Sequence, residues 1–152
     1  MMHTASDVAK WILRYNNMKA IIDDAEDMSN LKLQKLLYYS QGIFLAMTDK
    51  TLFPDDIVAW EHGPVVECVY HEYKSYGRIG IAYSDLLEPT EVYTDEEENI
   101  LMQVYDCFGQ YSAWGLRNMT HKETPWLSNK KNHVIPVDVI KNYFEKHYVE
   151  ED

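Results

Sequence analysis

The sequence predicts a mainly α-helical protein: a single-domain bundle of about six helices around a central buried helix, with at most a small β-hairpin. The first basis is residues 31–46, which are apolar on nearly every side of a helix. Apolar residues all round indicate a helix enclosed by its domain, whereas a surface helix has one apolar stripe. The second basis is length, because 152 residues suit one domain that buries a core without disulfides. The third is that residues 57–60 are almost the only strand-like segment, and no repeat or linker divides residues 1–152.

Helix-capping residues place the N-terminal elements. A first helix is predicted over residues 6–18, with Ser6 as its N-cap. The acidic residues 23–27 are predicted to be a solvated connection. Ser29 is well placed to cap the central helix, which is predicted over residues 30–47.

Proline and glycine mark the predicted ends of a helix in the middle of the chain. Pro64 suits the first position of a third helix, where its missing N–H would be unpaired anyway. Valines and tyrosines then recur at helical spacing until Gly77 ends the helix. Residues 78–83 are a candidate second strand, which would pair with residues 57–60.

The C-terminal half contains three further helices. Thr94 and Glu97 have the spacing of a capping box for the first of them. A short helix is predicted over residues 113–121, followed by a turn because Pro125 forbids its continuation. Pro136 is predicted to begin the last helix.

Composition describes a globular protein in the cytoplasm. The chain is 46% hydrophobic and 26% charged, and it has neither an uninterrupted apolar stretch of membrane-spanning length nor a signal peptide. We therefore expect no membrane contact. Cys68 and Cys107 form no C-x-x-C pair, so we predict two buried thiols rather than a disulfide framework or a zinc site.

Charge is strongly acidic and unevenly placed. The net charge of −11 argues against direct nucleic-acid binding, which requires lysine and arginine against phosphate. No basic residue lies between Arg78 and Arg117. Acidic residues fill that interval, at Asp85, Glu88, Glu91, Asp95, Glu96, Glu97, Glu98 and Asp106. This region either keeps the protein in solution or steers it toward a basic partner protein.

Catalytic motifs are weak throughout the chain. Ser112 is not in a G-x-S-x-G elbow, and the six glycines form no phosphate-binding loop. We therefore expect neither an enzyme nor a cofactor. One alternative stays open: a small metal-dependent hydrolase, with ligands or catalytic groups among His62, His71, His121 and Glu123.

Polar residues interrupt an apolar run at residues 59–64. Glu61 and His62 lie between Trp60 on one side and Gly63 and Pro64 on the other. They either hydrogen-bond the local turn or form a polar edge at which a partner docks, with Trp60 as an aromatic anchor.

Three ordered blocks resemble a known family. They are L-K-L-Q-K-L-L-Y-Y-S-Q-G at residues 31–42, A-W-x-x-G-P-V at residues 59–65 and M-T-H-x-E-x-P-W at residues 119–126. In this order and spacing they are similar to the Panacea domain, the SocA-like, phage-associated antitoxin family. The resemblance covers most of the chain.

The resemblance implies an antitoxin that binds and neutralises a cognate toxin by direct protein–protein interaction. A related branch implies an alternative, an adaptor that delivers its toxin to a protease, and a phage-associated regulatory role is a further one. Helix 1 begins almost at Met1, so we expect this chain to lack the appended DNA-binding module of some relatives. Oligomeric state stays open. Together with the polar edge, the blocks predict these partner-binding residues: Lys35, Tyr39, Trp60, Glu61, His62, Gly63, Pro64, His121 and Trp126.

Overall fold

Seven α-helices and one β-hairpin form the part of the chain that the computed structural model describes, residues 3–23, 26–86 and 91–149. The mainly helical prediction is confirmed, and the helix beyond the expected six is a four-residue turn of helix. In chain order the elements are α1 (Ala5–Asp23), α2 (Asn30–Thr48), β1 (Val58–Trp60), β2 (Gly63–Val65), α3 (Glu67–Tyr73), α4 (Asp95–Phe108), α5 (Ala113–Thr120), α6 (Thr124–Leu127) and α7 (Val137–His147). Short 3₁₀ turns occupy Lys74–Tyr76 and Tyr83–Asp85.

Helix α2 is the predicted central helix. It packs against α1, α3, α4, α5, α7 and the hairpin. Ser29 caps it by accepting a hydrogen bond from the backbone N–H of Lys32. Its buried polar side chains are satisfied from other segments: Gln41 Oε1 accepts from the N–H of Leu52 at 2.7 Å, and Gln41 Nε2 donates to the carbonyl of Phe53 at 2.8 Å. The polar groups of the apolar helix therefore tie neighbouring loops to the core.

The start of α1 differs from the prediction. Thr4 caps this helix, because its Oγ1 accepts from the backbone N–H of Asp7 while the Asp7 carboxylate accepts from the N–H of Thr4. Ser6, the predicted N-cap, already lies inside the helix. The helix also extends to Asp23, and residues 24 and 25 of the predicted acidic connection lie outside the described residues.

The prediction for Pro64 was wrong. Pro64 lies in β2, opposite Ala59, and α3 begins only at Glu67. A two-residue turn reverses the chain so early that residues 63–65 become the second strand, in place of residues 78–83. The proline is tolerated there because a position at a sheet edge needs no N–H donor.

The C-terminal predictions were mostly confirmed. Thr94 and Glu97 make both hydrogen bonds of a capping box at α4, and Pro136 is the N-cap of α7. The turn predicted at Pro125 is instead the first turn of α6, where a missing N–H costs nothing.

Both cysteines are exposed, contrary to the prediction of buried thiols. Cys68 is not among the buried residues of α3, which are Val69 and Tyr73, and Cys107 lies off the buried face of α4. The Cys68 thiol donates to the Asp55 carboxylate at 3.3 Å. Burial and this hydrogen bond raise the pKa of the Cys68 thiol.

None of the helices in the described part of the chain combines the length and the apolar character needed to span a membrane.

Candidate functional site

The hairpin β1–β2 turns through Glu61 and His62. Gly63, which follows, has φ of +111°, a conformation that glycine adopts far more easily than other residues. A Cβ at Gly63 would lie 2.6 Å from Lys35 Cε and 2.8 Å from Thr120 Oγ1. Glycine is therefore required both by the backbone conformation and by the close approach of α2 and α5.

Strand β1 is hydrogen-bonded on both edges. One edge pairs with β2. On the other edge, the N–H of Ala59 donates to the carbonyl of His133 at 2.9 Å, and the N–H of Ile135 donates to the carbonyl of Ile57 at 2.7 Å. This pairing fixes the position of Trp60, the last residue of the strand.

Lys35 supports the hairpin from within the core. Its side chain is 0% exposed, and its Nζ donates to the carbonyl of Pro64 at 3.1 Å. Burial, with a smaller contribution from the Arg117 guanidinium, lowers the pKa of Lys35 to about 7. Burial has this effect because it disfavours the charged form of an amine.

Residues at the α5–α6 corner hold the other side of the turn. His121 Nε2 is 2.8 Å from the carbonyl of Glu61, and the Trp126 indole N–H donates to the carbonyl of Trp60 at 2.7 Å. The rings of His121 and Trp126 lie 3.9 Å apart. Burial and the nearby Arg117 lower the pKa of His121, which favours a neutral ring whose Nε2–H donates to the carbonyl. The three sequence blocks thus meet at the hairpin.

An aromatic–cation group lies on the outer face of α5. Trp114 is 53% exposed, and the Arg117 guanidinium carbon is 4.3 Å from the centre of its ring system. Arg117 Nε also contacts His62 Nδ1 at 3.4 Å. The tip of the hairpin and α5 therefore form one continuous surface.

A cleft of about 870 Å³ opens between this surface and the end of α3. Its apolar lining includes Trp60, Tyr70 and Trp114, and its basic lining includes Lys74 and Arg78. This volume is within the roughly 300–1,000 Å³ range of ligand pockets. Two other clefts among the described residues are smaller, with volumes of about 580 and 380 Å³.

The structure divides the predicted partner-binding residues by exposure. Glu61 and His62 are exposed, and Trp60, His121 and Trp126 are half-buried. The buried residues are Lys35, Tyr39, Gly63 and Pro64. They would affect a docked partner only indirectly, through the groups that they position. Tyr39 lies apart from the hairpin; its hydroxyl donates to Glu123.

Sequence reasoning missed Trp114, Arg117, Tyr70, Lys74 and Arg78. The spacing of Trp114 and Arg117 was an available signal, because residues three apart share a helix face. No local signal places Lys74 and Arg78 beside them, since that proximity arises from the packing of α3 against α2.

Glu123 lies in a buried cluster of tyrosines. Its carboxylate accepts hydrogen bonds from Tyr38 at 2.9 Å, from Tyr39 at 3.1 Å and from Tyr148. Burial raises the pKa of Glu123, and the three hydroxyls act in the opposite direction. Across residues 3–23, 26–86 and 91–149, no group of three or more histidines, cysteines or carboxylates is arranged to hold a metal ion.

Comparison with known protein families gives a match over the segments that form the site. The family model described as "Antitoxin SocA-like, Panacea domain" matches residues 33–127. Searches of curated proteins and of solved structures gave no match to the chain. The matched region contains α2 from Leu33 onward, the hairpin and the α5–α6 corner, which are the segments that meet at the site. It spans more than half of the 152 residues. The chain therefore belongs to the SocA-like antitoxin family of Panacea domains.

Proposed function

We propose that this protein is an antitoxin that binds a cognate toxin protein and neutralises it by covering the toxin's active surface, without catalysing a reaction itself. Membership of an antitoxin-like family supports the general role. The observation that carries the proposal is the convergence of the three family blocks on the hairpin. Lys35, His121 and Trp126 each hydrogen-bond a backbone carbonyl of its residues 60–64.

These internal bonds favour tight docking at the tip of the hairpin. They leave Glu61 and His62 exposed next to Trp114, while the backbone beneath them is held by side chains from α2, α5 and α6. A surface that is already ordered loses less conformational entropy when a partner binds. Tryptophan and arginine are also enriched among the residues that dominate binding energy at protein interfaces.

The acidic start of α4 is a second part of the proposal. Asp95, Glu96 and Glu98 are exposed in the first turn of this helix. They suit the positive end of the helix dipole, and they would also speed the approach of a basic toxin. Glu88, from the same acidic interval, lies outside the described residues.

Co-expression with the product of the neighbouring gene tests the proposal. We expect the wild-type protein to restore growth and to co-purify with that product. Failure of both would refute an antitoxin role. The double variant His62→Ala, Trp114→Ala should lose rescue, because it removes the exposed side chains of the proposed surface.

Tyr111→Ala is the matched control. Tyr111 is an exposed aromatic residue just before α5 and is absent from the cleft lining. Its removal should leave rescue intact. If both variants lost rescue equally, the docking surface would not be centred on the hairpin.

The toxin's abundance distinguishes direct inhibition from delivery to a protease. Direct inhibition predicts an unchanged toxin level together with rescued growth. A level that falls with rescue, and recovers when the cell's proteases are inactivated, would favour the adaptor mechanism instead.

A further inference from the structure

Two cations line the cleft and a third lies near its edge, in a chain that is strongly acidic overall. Lys74 and Arg78 line it, and Arg117 lies on the Trp114 ring at its edge. Within residues 3–23, 26–86 and 91–149, none of these three cations forms an ion pair with a carboxylate. Glu61 is the one carboxylate among the described lining residues. Because the net charge is −11, an excess of unpaired positive charge at one place indicates complementarity to an anionic partner.

The same cleft has an apolar floor. Leu31 and Val65 contribute aliphatic surface, and Trp60, Tyr70 and Trp114 contribute aromatic surface. An occupant must therefore bring an apolar group to the centre and negative charge to the edge. An acidic peptide segment with one aromatic or large aliphatic residue has this combination.

A nucleotide has a similar combination of properties, but the geometry favours a peptide. Trp60 already makes an edge-to-face contact with Tyr70 at 4.8 Å, and Arg117 covers one face of Trp114. Stacking of a base needs a free ring face, whereas an apolar side chain also packs against ring edges. Two of the three amide side chains that line the cleft are also engaged internally, Asn30 with the carbonyl of Tyr70 and Gln34 with the N–H of Val66.

We propose that the cleft binds an acidic peptide segment of a partner protein. An apolar side chain of the segment packs between Trp60 and Trp114, and its carboxylates pair with Lys74 and Arg78. The identification of that partner as the toxin rests on the proposed function, whereas the cleft's preference for acidic peptides does not.

Titration of the full chain with synthetic peptides tests the cleft directly. The probes are fluorescein-labelled hexapeptides with glutamates on both sides of a central tryptophan, phenylalanine or leucine, and their counterparts with lysines in place of the glutamates. We expect saturable binding of the acidic set, weakened by added salt because exposed charges are screened, and no saturation by the basic set. No saturation by any acidic peptide would overturn the proposal.

Charge reversal localises the binding. Lys74→Glu with Arg78→Glu should weaken acidic peptides by about tenfold or more. Lys10→Glu with Arg14→Glu is the matched control, since it reverses one lysine and one arginine at the same spacing on α1. The control should change affinity by less than about twofold, because neither Lys10 nor Arg14 lines the cleft. Equal weakening in both would show a general charge effect and refute the cleft.

The indole N–H signals identify the contact residues by nuclear magnetic resonance. The chain has four tryptophans, and Trp11, buried against α1 neighbours, serves as the internal reference. Acidic peptides should shift the signals of Trp60 and Trp114 and leave that of Trp11 unchanged. If ATP shifts these signals and the acidic peptides do not, the ligand of the cleft is a nucleotide and the proposal is overturned.

The two proposals fail separately. Peptide binding without neutralisation of the neighbouring gene product would refute the antitoxin role and retain the cleft. If the wild-type protein binds no acidic peptide, and neutralisation survives the Lys74 and Arg78 reversal, the cleft proposal is refuted and the antitoxin role is retained.

Discussion

At the scale of single residues, Lys35 links the family's first sequence block to the site. The Lys35 amine is fully buried beneath the hairpin and donates a hydrogen bond to the carbonyl of Pro64. This bond stabilises one conformation of the turn, but burial of the amine costs free energy. That cost depends on protonation, because only the ammonium form is strongly disfavoured by burial. The residue therefore makes stability depend on pH.

The direction of this dependence follows from proton binding. The pKa of Lys35 is about 7 in the folded protein, against an ordinary value of 10.5. Between these pH values the unfolded chain binds the additional proton, so the contribution of this site to the free energy of unfolding rises with pH. Below pH 7 the full penalty of burying the ammonium applies.

Lys35→Met removes this titration while keeping a side chain of similar length. We expect the free energy of unfolding of the variant, minus that of the wild type, to fall as pH rises from 7 to 9, by up to about 1.4 kcal/mol per pH unit. Urea unfolding of both proteins at intervals across this range measures the difference. A difference that is constant with pH would contradict the assignment.

Gly63 is the second residue on which the site depends. Gly63→Ala should lower the free energy of unfolding by about 3 kcal/mol, since it combines an unfavourable φ with contacts on Lys35 and Thr120. Gly77→Ala is the control, because Gly77 also has positive φ, +61°, but has open space around it. Its loss should be smaller, about 1–2 kcal/mol, because backbone strain acts there without the close contacts. Equal losses in urea unfolding would show that the close approach contributes nothing.

At the scale of elements, α2 and α7 approach each other closely enough to require a glycine. A Cβ at Gly42 would overlap the ring of Phe144, which is buried in α7. The close approach lets one aromatic ring contact Tyr38 and Tyr39 as well. A glycine inside a helix is thus retained for packing despite its poor helix propensity.

Gly42→Ala tests that balance. Alanine favours the helix by about 1 kcal/mol, but overpacking costs roughly 1–3 kcal/mol, so we expect net destabilisation in urea unfolding. Combination with Phe144→Leu should remove the overlap, so the alanine should then be neutral or stabilising relative to Phe144→Leu alone. Additive effects in this double-mutant cycle would contradict the packing argument.

At the scale of the whole molecule, Glu123 joins distant parts of the chain. Tyr38 and Tyr39 of α2 and Tyr148 beyond the end of α7 all donate to its carboxylate. Glu123 itself precedes α6, whose Trp126 holds the hairpin. The cluster therefore connects the core of the bundle to the backbone of the site.

Glu123→Ala should leave buried hydroxyls without their acceptor. We expect a loss of about 3 kcal/mol or more in the free energy of unfolding. Tyr148→Phe, which removes one donor and leaves the acceptor satisfied by two others, should cost only about 1–2 kcal/mol. Scanning calorimetry measures both, and a smaller loss for Glu123→Ala than for Tyr148→Phe would contradict the account.

Charge is also organised at this scale. Exposed acids crowd the start of α4, whereas Lys74 and Arg78 line a cleft to which no residue of α4 contributes. The net charge of −11 records only the sum. Two oppositely charged surfaces on one chain allow a partner to be steered by one and bound at the other.

Local patterns predicted the elements whose signals are local. The enclosed character of α2, the capping box of α4 and the proline before α7 each depend on residues within a few positions of one another, and each was confirmed. The prediction for Pro64 failed because the two-residue turn after Trp60 pairs residues 63–65 with β1 and delays the start of α3 to Glu67. The prediction for the cysteines failed because Cys68 and Cys107 each lie off the buried face of their helix.

The site shows the same division between what local sequence predicts and what tertiary packing decides. The sequence by itself determined most of the helices, the family and the polar tip at Glu61 and His62, because capping, periodicity and motif order depend on the residue order along the chain. Only the tertiary structure decided that Lys35 is buried beneath the tip, and that Lys74, Arg78 and Trp114 share one cleft. Burial and proximity between distant segments depend on how the helices pack, and no local pattern encodes that packing.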